Sequence, residues 1–272
     1  MKGLFVFCLI VFPLSVYAQI ADSISRLVKM EGTVNFRDIG GYKTKDNREV
    51  VKNRIFRSAD ISRLTDNDML KMGDKHIYTV IDFRGTKESA AAPDRLLPGT
   101  DYLLCPAGSD NLPDSKHMAE ILKKKDFLIS MYGDQSMQYY GDRYKPLFNK
   151  LINLPESEAA LLYHCTGGRD RTGMATALIL YALQVPMETI EADFVASNFY
   201  LASINKKMYQ PIIETSGLTE EEVIERMKLR PELLRIFFDA LTKEYGSVEK
   251  FMEKELGVGP DEQALLIRKF TK

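Results

Sequence analysis

Residues 164–173 read His-Cys-Thr-Gly-Gly-Arg-Asp-Arg-Thr-Gly, which crowds a thiol, two guanidiniums, a carboxylate and two hydroxyls into one short stretch. Residues 158–163, Glu-Ala-Ala-Leu-Leu-Tyr, are apolar enough for a short buried strand. Residues 174–183 are helix formers on nearly every side, and Pro186 stops them. A strand, a tight loop and the first turn of a buried helix aim unpaired backbone N–H groups into one small bowl. Such a bowl binds a tetrahedral anion and lets a thiol at its base ionise below the free-cysteine value of ~8.5.

Each residue type then has a task. Cys165 is the nucleophile. Arg171, six positions on, offers a planar fork for two oxygens of a phosphoryl group, joined by the N–H groups of Thr166 through Arg171. Gly167 and Gly168 let the backbone curl without Cβ clashes. Thr172 can hydrogen-bond the sulfur as it departs from a phosphocysteine. His164 orients the loop and supports the low thiol pKa. The leaving oxygen needs a proton donor. Asp170 lies in the loop itself; Asp110 and Asp114, in the polar segment after a short strand at 101–105, are the alternatives. Arg169 is a second cation, suited to an additional phosphate or to a surface salt bridge.

The string resembles the bacterial secreted tyrosine and dual-specificity phosphatases, whose pattern is H-C-x-x-G-K-D-R-T-G, with Arg169 in place of the Lys. Scattered blocks extend the resemblance from about Val34 to Phe270: Asn35-Phe36-Arg37-Asp38 with Gly40-Gly41, Phe56-Arg57-Ser58, Asp82-Phe83-Arg84, and Ala192-Asp193 with Ser197-Asn198. The resemblance implies tyrosine phosphatase activity through a phosphocysteine, with Ser/Thr or lipid phosphates as extras, and favours Asp170 as the acid. It sets Arg37 and Asp38 close to the active site, where they organise the pocket or form a salt-bridged turn. No tryptophan is present, so the W-P-D lid of the eukaryotic enzymes is absent. The competing readings are an inositol-polyphosphate (phytase-like) phosphatase, a rhodanese-like or arsenate-reducing thiol enzyme, and a non-catalytic phosphate-binding module.

The chain opens with Met1-Lys2-Gly3, an apolar run to Val16 and small residues ending at Ala18, the pattern of a secretory signal peptide. The run is too short for a membrane span, which needs ~20 apolar residues. Residues 1–18 are therefore expected to be a signal peptide and 19–272 a single phosphatase domain, exported to a periplasm or beyond the cell. With 37 basic and 38 acidic residues, the chain has no electrostatic case for nucleic acid or an anionic membrane. The partner expected is a phosphorylated protein or small phosphomonoester. No Cys/His spacing implies a metal, and no cofactor is called for. Cys105 is either a small apolar strand residue or a reversible disulfide partner shielding Cys165, which needs Cα atoms within ~7 Å.

The fold expected is α/β, a three-layer phosphotyrosine-phosphatase-like domain. A central, mostly parallel sheet is flanked by helices, and the chain is helical from about residue 187. Residues 77–84 read as a buried strand and 42–51 as a hairpin. Helices are expected over 21–30, 116–131 with a break near Asp126, 135–151, 189–209 and 231–245, with capping boxes at Thr65 and Thr219.

Overall fold

Among the described residues five strands form one sheet in the order β1-β2-β5-β3-β4. They are β1 (Arg37–Asp38), β2 (Ile55–Ser58), β3 (Ile77–Asp82), β4 (Asp101–Leu104) and β5 (Ala160–His164). The computed structural model describes residues 25–107, 115–124, 127–133, 141–156 and 159–272. The putting-together of the sheet follows from burial. Every residue of β2 and β5 is buried, as a parallel strand covered on both faces must be. Only β1, at one edge, runs antiparallel.

The register aligns the strand ends. Ser58 stands opposite His164, His164 opposite Asp82, and Asp82 opposite Leu104. The loops leaving β2, β3 and β5 therefore emerge side by side at the carboxyl edge, where open α/β sheets bind their ligands.

One face of the sheet packs Phe56, Val80 and Leu162 against α1 (Asp66–Asp74) and the segment near Phe36. The larger core on the other face centres on α6 (Asp170–Ala182), which buries all its residues except Asp170 and Tyr181. That is why its sequence is apolar all round. In the chain between α1 and α6 come α2 (Thr86–Ala91), α3 (Ser115–Leu122), α4 (Phe127–Tyr132) and α5 (Lys145–Asn153). After α6 the chain is helical: α7 (Met187–Leu201), α8 (Asn205–Ser216), α9 (Glu220–Met227), α10 (Pro231–Tyr245), α11 (Val248–Phe251) and α12 (Pro260–Phe270). Helix α8 packs on α3, and α10 on α4.

The sequence pattern and the structure agree on the sheet and on both capping boxes: Thr65 accepts from the Asp68 N–H and Thr219 from the Glu222 N–H. They differ in three places. Of the helix expected over 21–30, only residues 25–26 of the described part are helical. Leu27 bridges Arg37 and the Val28 N–H donates to Phe36 O at 3.0 Å, extending the sheet edge. Of the helix expected over 135–151, residues 135–140 lie outside the described residues; the described part is a 3₁₀ turn (Gly141–Tyr144) followed by α5, with Pro146 in the first turn, where a missing N–H costs nothing. The helix expected over 189–209 is two, and the break lets α8 turn onto α3 and bury Tyr209. Residues 1–18, Asp110 and Asp114 lie outside the described residues. No described helix is long and apolar enough to cross a membrane.

Candidate active site

Cys165 follows the last residue of β5, and Asp170 opens α6, so the loop of residues 166–169 joins a central strand to the helix. Its carbonyls face outward. Thr166 O accepts from the Asp60 N–H at 3.0 Å. Gly167 O accepts from Asn35 Nδ2 at 3.1 Å, and Gly168 O from both Asn35 Nδ2 and Arg57 Nη2, each at 2.8 Å. In a trans peptide the N–H points opposite to its C=O. The N–H groups of Gly167, Gly168 and Arg169 are thereby turned to the inside of the loop, toward the side of the thiol and the positive end of α6.

The curl demands one glycine specifically. Gly168 has φ +59°, and a Cβ there would stand 2.2 Å from Ser58 O. The loop lies that close to the end of β2.

Arg171 is held at the other side of the bowl. Its Nη1 donates to Phe83 O at 3.1 Å and to Glu88 Oε2 at 2.9 Å; its Nη2 reaches Glu88 Oε1 and Thr166 Oγ1, both at 3.3 Å. Burial pushes the Glu88 carboxyl up, but the Arg171 guanidinium, with the hydrogen bonds from Thr166 and the Gly85 N–H, outweighs it and leaves the group below its ordinary value. Glu88 also accepts from the Thr166 hydroxyl and caps α2 through the Gly85 N–H at 2.8 Å. Sequence reasoning missed Glu88. The signal was present: a glutamate three residues past Gly85 at a helix start.

Asp170 accepts a hydrogen bond from the Tyr132 hydroxyl at 2.7 Å. Tyr132, wholly buried in α4, was also missed, since an aromatic in an apolar helix reads as core. His164 Nε2 lies 2.9 Å from Asp94 Oδ2 and 3.8 Å from Asp82 Oδ1, and its Nδ1 has no hydrogen-bond partner among the described residues. Arg84 ties this group together, meeting Asp82, Asp94 and Asp60. The three ligand-type residues Asp82, Asp94 and His164 cluster closely, and the Arg84 guanidinium already supplies a cation to both carboxylates. The Thr172 hydroxyl is buried and makes no hydrogen bond among the described residues.

Arg37 and Asp38 part company. Arg37 and Arg57 sandwich Asp193 of α7, at 3.0 and 2.6 Å, with Tyr42 donating to the same carboxylate. Burial opposes the charge of Asp193, but the two arginines hold its carboxyl far below its ordinary value. This cluster supports the loop through Arg57 and Gly168. Asp38 instead accepts from the N–H groups of Gly40 and Asn53, at 2.8 and 2.6 Å, and closes a turn. Arg169 forms no surface salt bridge. It is 4% exposed, hydrogen-bonded to the Tyr209 hydroxyl, with Nη2 3.3 Å from Asp170 Oδ1.

A buried thiol at the foot of a loop of inward N–H groups, faced by a fixed arginine, is equipped to bind a phosphoryl group and attack it. The family model described as the tyrosine phosphatase family matches residues 28–272. The chain belongs to that family. It is similar to a Cupriavidus necator protein provisionally named a tyrosine-protein phosphatase, 26% identical over 229 residues, covering 82% of each chain. It is 25% identical over 260 residues to the triple specificity protein phosphatase PtpB of Mycobacterium tuberculosis, covering 82% of this chain and 92% of that one. A tyrosine-protein phosphatase of Nostoc commune is 28% identical over 223 residues, 78% of this chain and 72% of its own. This phosphatase is therefore a cysteine-based enzyme of the tyrosine phosphatase family.

In this phosphatase Cys105 is not placed to bridge Cys165. Strand β3 lies between β4 and β5, and Leu104 and His164 both stand opposite Asp82. Two strand spacings put the Cα atoms about 10 Å apart, beyond the ~7 Å a disulfide spans. Cys105 donates its S–H to Arg143 O at 2.9 Å, and neither Cys105 nor Cys165 is in a disulfide.

Proposed function

We propose that the protein is an exported phosphatase acting first on phosphotyrosine, with Cys165 as nucleophile, Arg171 as clamp and Asp170 as proton donor. The observation that carries this reading is the joint anchoring of the loop and of Arg171, with Asp170 at the first position of α6. Cys165 attacks phosphorus as the thiolate, in line with the departing phenolic oxygen. The P–O bond breaks and the oxygen takes its proton from Asp170. Water, giving a proton to the Asp170 carboxylate, then breaks the S–P bond and releases phosphate. The N–H groups of the loop and Arg171 stabilise the equatorial oxygens throughout. Thr172, whose hydroxyl has no other partner among the described residues, donates to the departing sulfur in the second step.

The M. tuberculosis relative is named for three specificities. By analogy we extend the substrate range here to phosphoserine, phosphothreonine and phosphoinositides as secondary substrates. Export rests on the signal pattern ending at Ala18, with the mature chain starting at Gln19.

The test is turnover. The wild type should hydrolyse para-nitrophenyl phosphate and phosphotyrosine peptide faster than inositol hexakisphosphate, and Cys165→Ser should do none of this. Undiminished hydrolysis by Cys165→Ser ends the reading. N-terminal sequencing of the native protein checks the start at Gln19.

A further inference from the structure

Arg169 is the loop's second arginine, and the reaction above leaves its side chain unused. It turns away under α8. One terminal nitrogen donates to the Tyr209 hydroxyl; Nε and Nη2 make no hydrogen bond among the described residues, and Nη2 has only its ion-pair approach to Asp170. A buried N–H without an acceptor is disfavoured, and each instance calls for an explanation.

The explanation lies beside it. Arg169 lines a cavity of about 160 Å³ walled by α7, α8 and α9, with Asn198, Asn205, Tyr209 and Lys228. Neither Cys165, Thr166 nor Arg171 lines it, so it is separate from the catalytic bowl. Asn205 is the first residue of the twelve-residue α8, and the preceding Ile204 has no side chain able to cap the helix. The positive end of α8 is thus open at the wall. Lys228 adds a charge just past the end of α9. The one acid in the lining, Glu225, stands 3.5 Å from the Lys228 ammonium and offsets one cation only.

We propose that this cavity is a second oxyanion site, taking inorganic phosphate behind the catalytic loop. The idle Nε and Nη2 donors of Arg169, the first turn of α8 and Lys228 supply its contacts. Because Arg169 belongs to the loop that holds Cys165, an anion there is mechanically joined to catalysis. The enzyme's own product is the phosphate at hand. Occupancy would report on turnover.

The experiment is a titration of the full mature chain with inorganic phosphate at fixed ionic strength, by calorimetry and by inhibition kinetics. The wild type should bind two phosphates per chain, and phosphate should alter kcat as well as KM. Lys228→Met, remote from the reacting atoms, should keep its uninhibited kcat/KM, bind one phosphate and show purely competitive inhibition. Asn205→Asp, which places a carboxylate at the start of α8, should do the same with an unchanged circular dichroism spectrum. Cys165→Ser should retain the second phosphate although it turns nothing over, which separates this site from the catalytic reading. A single phosphate per wild-type chain with purely competitive inhibition overturns the proposal. So does an inositol bisphosphate that binds one per chain and displaces both phosphates, since the cavity would then be a substrate subsite.

Discussion

Glu88 holds both terminal nitrogens of Arg171, at 2.9 and 3.3 Å, from the start of the helix that follows β3. The contact fixes the guanidinium plane before any substrate arrives. Without it Arg171 loses its one carboxylate anchor among the described residues, while the bonds to Phe83 O and the Thr166 hydroxyl remain. Glu88→Ala should raise KM for a small aryl phosphate about tenfold, equivalent to ~1.4 kcal/mol, with Glu88→Gln in between. A KM that falls would make Glu88 a competitor of substrate for Arg171. The depressed carboxyl gives the pH sense: the anchor is complete above the ordinary glutamate range and is lost only as pH falls through the lower value in the folded protein.

Tyr132 donates to the Asp170 carboxylate at 2.7 Å and so sets the direction in which it faces. If Asp170 supplies the proton, its removal matters most where the leaving oxygen is basic. Asp170→Asn should cut kcat about 10²-fold on an alkyl or unactivated phenyl phosphate and far less on para-nitrophenyl phosphate. Tyr132→Phe should give the same leaving-group pattern at smaller amplitude, with KM unchanged. Equal losses on good and poor leaving groups would assign both residues to structure alone.

Asp193 compensates two wholly buried arginines at once. Asp193→Asn leaves a buried positive charge unmatched, a change that costs roughly 3–5 kcal/mol. For a chain of this size that lowers the melting temperature by on the order of 10 °C. Because its carboxyl is depressed in the fold, the stability it contributes is fully present above the unfolded value of ~3.9 and is lost as pH falls below it. Acid titration of the melting temperature should show that loss in the wild type, and a shallower one in Asp193→Asn. Parallel acid profiles would rule this role out.

How much of this is legible in the sequence depends on whether the cause is local. The strand at 77–82, the helix at 231–245 and the capping boxes at Thr65 and Thr219 follow from short-range pattern and are where the pattern puts them. Cys165 and Arg171 share one loop because six residues of chain impose it. The partners that orient them come from afar: Glu88 is 83 residues from Arg171, Asn35 is 133 from Gly168, and Tyr132 is 38 from Asp170. The local marks they carry, the Gly85-to-Glu88 spacing of a helix start and the block that contains Asn35, do not say which loop residue each will meet. The same holds for Cys105, whose distance from Cys165 is set by strand order, and for Arg169, whose burial is set by α8 folding back over the loop.

The two adjacent glycines of the loop allow a sharper test than any side-chain deletion. Gly168 has a positive φ and no room: an added Cβ would stand 2.2 Å from Ser58 O and 2.6 Å from the Ala59 nitrogen, both rigid backbone. Gly168→Ala must therefore push the loop off β2 and break the bonds from Asn35 and Arg57 to its carbonyl. The inward N–H groups then lose their alignment, and a misplacement of about 1 Å can cost on the order of 10²-fold in rate. Gly167 differs. Its φ is outside the left-handed region, and among the described residues its Cβ would meet the Met208 sulfur at 3.4 Å and Arg169 Cβ at 3.7 Å. Gly167→Ala should stay within several-fold of wild-type kcat/KM, while Gly168→Ala falls by on the order of 10²-fold or more with its helical circular dichroism intact. If the two variants lose activity equally, the close approach of the loop to Ser58 is not what shapes the bowl.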